Sequence, residues 1–357
     1  MPHNQDFRPD WVSAPGKTIA HILGERKISL ADFARLTKQT PDQATDLLQG
    51  RAAITIGVAR QLKQVLGASV EFWMARDFHY RQGTSTLQDS DEQWLAELPV
   101  RDMIKFGWLR PVPRPSDEME ACLRFFGVSS VPVWRQKYAE LQEFVAFRTS
   151  RAFDSSPAAV AAWLRQGEIE SEKISCNPWD PAGFENCLAR IRPLTREKDP
   201  KRFGPKLQEL CASCGVAVVI VRAPNGCRVS GATCFVSESK ALLLLSFRYL
   251  SDDQFWFTFF HEAGHLLLHG KEGLFLEGID APDTVEERRA NEFAEGILVP
   301  TELRTTMLQL PLNAHDVIRF ARRAAISPGV VVGQLQHHGK IKRNQLNGLK
   351  RRFQWES

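Results

Sequence analysis

The sequence is short of several things, and each shortage excludes a class of protein. No stretch of its 357 residues stays apolar long enough to span a bilayer: FWFTFF at 255–260 is brief and flanked by charge. The opening MPHNQDFRPDW has no basic and apolar export signal. The seven cysteines are an odd number without framework spacing, which excludes a disulfide scaffold and makes a reducing cytoplasm the expected location. Cys211 and Cys214 form a CxxC, but no second pair completes a zinc ribbon, and Cys227 and Cys234 are wrongly spaced for one. Cys211 and Cys214 therefore read as small apolar residues at a helix end before Gly215. A strong charge of one sign is also missing, since the net charge is only +4. Its distribution is uneven, because from Val317 onward nine Lys or Arg face one acid, Glu356. That tail suits a phosphate or an acidic protein, or is a solvated helical end. Repeats and low-complexity tracts are absent, and the length allows two or three domains.

What is present centres on Ser251 to Gly270, SDDQFWFTFFHEAGHLLLHG. Ser251 with Gln254 has the form of a capping box, Asp252 and Asp253 suit the positive end of a helix, and Gly270 can stop it. On the helix of about five turns that follows, His261 and His265 share a face at a spacing one Zn2+ can bridge. Glu262 stands beside them as a base for water. The apolar residues around them make this a core helix, where two His and a Glu are costly to bury without partners. His269 is eight residues from His261, roughly 12 Å along a straight axis, too far for one ion to take all three histidines.

A third ligand is expected from a second amphipathic helix, TVEERRANEFAEGILVP at 284–300. Glu287 and Asn291 share a face, so that Glu287 can ligate while Asn291 hydrogen-bonds a ligand histidine. Glu286 is the alternative ligand, and a solvated charge run is the plain reading of 286–292. HEAGHLLLH followed by ERRANEFAEGILVP resembles the ImmA/IrrE metallopeptidases, strongly over about residues 200 to 310, and SPGVVVGQLQHHG at 327–339 is similar to their C-terminal extension. The resemblance implies zinc held by His261, His265 and Glu287, with Glu262 as catalytic base. It also implies narrow proteolysis of a transcriptional repressor or another regulatory protein.

Residues 15 to 82 read as a bundle of short helices, with starts at Ser29 and Thr40-Pro41 and a stop at Gly50. SLADFARLTKQTPDQATDLLQGRAAIT with the ending LGASVEFW resembles the helix-turn-helix of the Xre class, and within it the HigA-like antitoxins. The second helix should then read the DNA groove, yet it offers Asp42, Gln43, Thr45 and Asp46, with no Lys or Arg before Arg51. Lys38 stands where a small turn residue is usual. Gln43 can read adenine, and Lys38, Arg35 and Arg51 can hold phosphate. A protein-binding or homodimerising module is the competing reading.

The expected fold is α+β: a tail at 1–14, the all-α helix-turn-helix domain at 15–82, a helical middle region at 83–199, a zincin-like domain at 200–310 with a small twisted sheet over the ligand helices, and a basic helical extension at 311–357. In the middle, Gln82 to Asp91 reads as a linker, helices are expected over Glu118–Phe126, Val133–Phe147 and 157–173, and the tryptophans are expected to bury. Strands are expected at Val216–Val221, Ala232–Val236 and Ala241–Leu245, with Lys240–Ser246 either an edge for substrate backbone or a buried central strand. The expected reaction is peptide hydrolysis. A second donor to the developing oxyanion is available from Tyr249, His315, His337 or His338. The rival expectation is a DNA-binding antitoxin or regulator whose peptidase fold binds or senses without cutting.

Overall fold

In the computed structural model the chain divides into two compact units, Met1–Trp94 and Leu95–Ser357. The structure describes residues 14–139, 141, 155–270, 274–277 and 284–355. All but the last residue of the expected tail lies outside them, as do Glu356 and most of the Val133–Phe147 segment beyond its first turns.

The first unit is built from α1 (Pro15–Glu25), α2 (Leu30–Leu36), α3 (Pro41–Leu48), α4 (Ile56–Leu66) and most of α5 (Val70–Glu97). Its starts are where the caps place them. The Ser29 hydroxyl accepts the Asp32 N–H at 3.1 Å, and Thr40 and Gln43 complete a reciprocal capping box before Pro41. Lys38 takes a left-handed φ of 52° in the turn between α2 and α3. Ile19, Phe33, Ala44, Leu62 and Trp73 are fully buried, each large side chain contributing about 1.5–3 kcal/mol. The expected linker at 82–91 is instead helical, within α5. Polarity there had suggested a break, but the segment contains no proline, and Gly83 alone does not end a helix.

The second unit opens with α6 (Val100–Lys105), α7 (Pro115–Phe126), α8 (Val131–Lys137), α9 (Pro157–Glu172), α10 (Pro181–Ile191) and α11 (Pro200–Ala212). α7 starts at Pro115, three residues before the expected Glu118, because Pro at the first position suits the start and Asp117 and Glu118 then fill the first turn. α11 likewise starts at Pro200, capped by Asp199 and with Pro205 inside it. Trp94, Trp134 and Trp163 are fully buried, and the Trp163 indole donates to the Val221 carbonyl at 2.9 Å.

Four strands form one mixed sheet in the order β1-β3-β2-β4: β1 (Val216–Ile220), β2 (Gly231–Ser237), β3 (Lys240–Leu245) and β4 (Phe275–Glu277). β3 pairs parallel with β1 and antiparallel with β2, so it is central, and the reading of Lys240–Ser246 as an edge for substrate is overturned. Its unbroken Ala-Leu-Leu-Leu-Leu follows from cover on both faces. Leu243 and Leu245 join the core containing α12 (Asp252–Leu268), while Leu244 meets α9 at Gly167, where a larger residue would collide with it. β4 is the edge beside β2.

α12 ends as expected, with His269 as cap and Gly270 at φ 71°. Its start differs. The Ser251 hydroxyl makes no capping bond; Ser251 instead forms a backbone bridge to Arg352, so the expected box with Gln254 is absent. Asp252 accepts from the Ser327 hydroxyl at 2.8 Å and the Arg351 N–H at 2.9 Å, and Lys350 pairs with Asp253 at 2.6 Å. After α13 (Val285–Leu298), α14 (Thr301–Leu308) and α15 (Ala314–Ala324), α16 (Pro328–His337) crosses α12 at Gly329 and Gly333. A Cβ at Gly329 would collide with the Asp252 carboxylate, and one at Gly333 would lie 2.9 Å from Asp253 Cβ. Part of the basic tail is therefore internal mortar and not a free phosphate surface. Among the described residues no helix is long and apolar enough to cross a membrane.

Candidate metal centre

α12 sets His261 and His265 one turn apart on the face turned to α13, and α13 sets Glu287 opposite them. The two histidine Nε2 atoms are 2.9 Å apart, and Glu287 Oε2 lies 3.2 Å from His261 Nε2 and 3.6 Å from His265 Nε2. Both histidines are 1% exposed. The helices approach this closely because Gly264 has no side chain: a Cβ there would stand 3.3 Å from Ala290 Cα. Local pattern carries Gly264 and Ala290 inside the two motifs, yet only the packing shows what their smallness does.

Asn291 lies one turn beyond Glu287 and its Oδ1 is 2.9 Å from His261 Nδ1. With the amide oxygen as acceptor, Nδ1 carries the proton and Nε2 presents a lone pair to the centre. Glu286 is exposed, and its backbone carbonyl accepts from His269 Nε2 at 3.2 Å, so its side chain is not brought to the cluster.

Glu262 is 0% exposed. The Thr233 hydroxyl of β2 donates to its Oε2 at 2.9 Å, while Oε1 is buried without a partner among the described residues. Gly231 makes the space: a Cβ there would lie 2.6 Å from Oε1. Glu277 of β4 was not singled out by the sequence. Its Oε2 is buried and without a partner among the described residues, and its charge acts on both His261 and Glu262. No spacing in the sequence signals Glu277 or Thr233, because strand pairing brings them in. Phe275, two residues earlier, stacks on the His265 ring at 4.3 Å.

Burial raises the Glu262 and Glu277 carboxyls above their ordinary range. Burial works against charge on His261, but Glu287, Glu277 and Glu262 outweigh it and lift its pKa to about 9. Burial lowers that of His265. Glu287 is also disfavoured by burial as an anion, yet hydrogen bonds to the two histidines hold its carboxyl well below the usual range. Two imidazole nitrogens and one carboxylate oxygen, all within 4.8 Å of one another, with two further acids close by, form a donor set suited to a divalent cation.

Other expected residues lie elsewhere. Tyr249 is 47% exposed beneath the Arg248 guanidinium, and its carbonyl accepts from Arg352. His315 is exposed on α15. His337 and His338 both face Glu295, at 3.2 and 3.6 Å. None of these contacts reaches the three-donor cluster. In the first unit, Gln43 Oε1 is occupied by the Thr40 N–H, and Arg51 binds Asp46 Oδ1 through Nε and Nη2 at 2.8 and 2.6 Å. Lys38 stands in the turn between α2 and α3 at φ 52°.

The fold and the three-donor cluster fit a metallopeptidase-type domain, on a chain whose N-terminal unit fits a helix-turn-helix regulator. Residues 217–336 match the peptidase M78 family, described as the IrrE N-terminal-like domain. The N-terminal region is 40% identical over 60 residues to the uncharacterized HTH-type transcriptional regulator YddM of Escherichia coli (strain K12), an alignment covering 17% of this chain and 64% of that protein. The chain thus spans less than two thirds of the length of the curated relative it matches. The two matches fit an ImmA/IrrE-like protein with a helix-turn-helix domain, as the motifs implied.

Proposed function

We propose that this protein is a zinc-dependent endopeptidase of narrow specificity that cuts a repressor or another regulatory protein in the cytoplasm, under the direction of its helix-turn-helix module. The observation that supports it most is the convergence of His261, His265 and Glu287 beside a buried Glu262 with one free oxygen. His261, His265 and Glu287 would hold the zinc, which would supply Lewis-acid polarisation of the scissile carbonyl and acidification of water. Asn291 holds His261 in the tautomer that leaves Nε2 free. Thr233 fixes one oxygen of Glu262, so that Oε1 is the atom that takes the proton of the attacking water and later delivers it to the leaving amine. β4, the sheet edge nearest the site, is where an extended substrate adds by backbone pairing, with Phe275 beside the reacting bond.

Full-length protein should bind about one zinc per chain. Glu262→Gln should keep that zinc and lose peptide cleavage by at least about 100-fold. A Glu262→Gln protein with its full cellular effect would overturn the proteolytic reading.

A second reading, a regulator that binds without cutting, is favoured by the complete enclosure of Glu262 under β2. The two separate on what accumulates when Glu262→Gln replaces the wild type in the host: an uncut regulatory protein for the first, nothing for the second.

A further inference from the structure

A cavity of about 740 Å3 lies in the second unit, lined by Lys105 to Trp108 at the end of α6, the last turns of α9, the outer edge of β1 and Trp355. Its lining contains none of the metal-centre residues. The volume falls within the range of small-molecule sites and is too small for a folded partner.

The walls are of two kinds. Phe106, Trp108 and Trp355 supply aromatic faces, with Phe106 and Trp108 edge to face at 5.5 Å and the Arg222 guanidinium 5.0 Å over the Phe106 ring. The charges are Lys105, Lys173, Arg222 and Glu170. Glu170 is already bound by Lys173 at 2.8 and 2.9 Å and by the Gln166 amide at 2.7 Å. Lys105 and Arg222 have no carboxylate partner among the described residues, so the rim carries a net positive charge. β1 contributes a third feature. Val221 N–H donates to Leu245 O on β3, so alternation along a parallel strand turns the backbone N–H and C=O of Ile220 outward, to the cavity.

We infer that this cavity binds a planar aromatic anion, its ring against Trp108 and Phe106, its negative group on Arg222 and Lys105, and a hydrogen-bonding ring edge on the Ile220 backbone. Aromatic faces beside unpaired cations select this chemistry: a neutral ring leaves the cations without a counterion, and a non-aromatic anion leaves the ring faces uncovered. A nucleoside monophosphate and an aryl carboxylate share it.

The test uses zinc-loaded full-length protein and titration calorimetry alongside tryptophan fluorescence. The probes are adenosine monophosphate, guanosine monophosphate and 1-naphthoate, with adenosine and 1-naphthalenemethanol as neutral counterparts. At least one anion should bind, its neutral counterpart at least about tenfold more weakly, and binding should weaken as salt rises. Arg222→Ala, at an exposed position that leaves the core intact, should cost at least about tenfold, and Lys105→Ala should cost less, with zinc content unchanged in both. Binding by the nucleotides alone assigns the site to a nucleotide, and binding by 1-naphthoate alone to an aryl acid. No binding by any anion, equal binding of the neutral counterparts, or indifference to Arg222→Ala would overturn the inference. So would an acidic decapeptide that binds where the aromatic anions do not, which would assign the β1 edge to strand addition.

Discussion

α3 and α12 both follow a residue suited to capping, and they use their polar side chains in opposite ways. On α3 the polar groups are exposed or half-buried, and three of them are answered from their own neighbourhood: Gln43 by the Thr40 N–H, the Thr45 hydroxyl by the Pro41 carbonyl at 2.8 Å, Asp46 by Arg51. On α12, His261, Glu262 and His265 are buried and are met by residues from α13 and β2, with Glu262 Oε1 and His265 Nδ1 left over. A buried donor set with spare valence calls for a ligand, since its desolvation is otherwise uncompensated. An exposed set that satisfies itself does not, so the fold of the first unit is readable without its function.

The sharpest break of this contrast removes one arm of the donor set. Glu287→Ala should abolish stoichiometric zinc binding, read by metal analysis after dialysis, and Glu286→Ala should leave it intact. The reverse result would move the ligand by one residue and undo the geometry described for α13. Next in size is the buried pair at the start of α12. Lys350→Ala strands Asp253, which is almost fully buried, and should cost about 3–5 kcal/mol of stability, read as a lowered denaturation midpoint. A cost below about 1 kcal/mol would return the basic tail to the surface role its composition suggested.

Asn291→Ala should weaken zinc binding by about 10–100-fold without removing it, since the residue orients His261 and does not ligate. pH separates the same cluster in a second way. In metal-free protein His261 titrates near 9 against 6.5 unfolded, a raised pKa, so its stabilisation is complete below 6.5 and is lost as pH rises through 9. Zinc binding needs the neutral imidazole and strengthens over the same interval. Melting temperatures with and without chelator should therefore slope in opposite directions, and parallel slopes would show that the histidines are not the metal's ligands.

What could be read in advance follows how local its cause is. Ser29 and Thr40 act within one turn, and His261 with His265 within a little more, so spacing in the chain is spacing in space. Glu287 needed a second helix to be docked before it could meet the histidines, and the motifs left Glu286 beside it as the alternative. Glu277 and Thr233 were invisible because strand order alone brings them to the centre, and an unbroken apolar run such as β3 does not state its neighbours. The lysine and arginines at 350–352 looked like a basic surface because the one acid near them in sequence is Glu356. Asp253, which pairs with Lys350, and Asp252, which accepts the Arg351 backbone N–H, are about a hundred residues away, across Gly329 and Gly333, whose spacing marks where α16 crosses α12.

The smallest expected effect probes the other side of the contrast, where α3 answers its own charges. Arg51 is the first cation after α3, and Asp46 holds it by two hydrogen bonds. Asp46→Asn removes an acid from the face that would meet phosphate and weakens the hold on Arg51. The exposed pair contributes little to folding, so stability should hardly change. If the first unit docks on DNA, affinity should rise a few-fold, and the slope of log affinity against log salt should steepen by about one ion. The readout is a shift assay with full-length protein on duplex DNA at graded salt. An unchanged slope, or no complex at low salt for either protein, would mean that α3 faces a protein, and its acids would then belong to that interface.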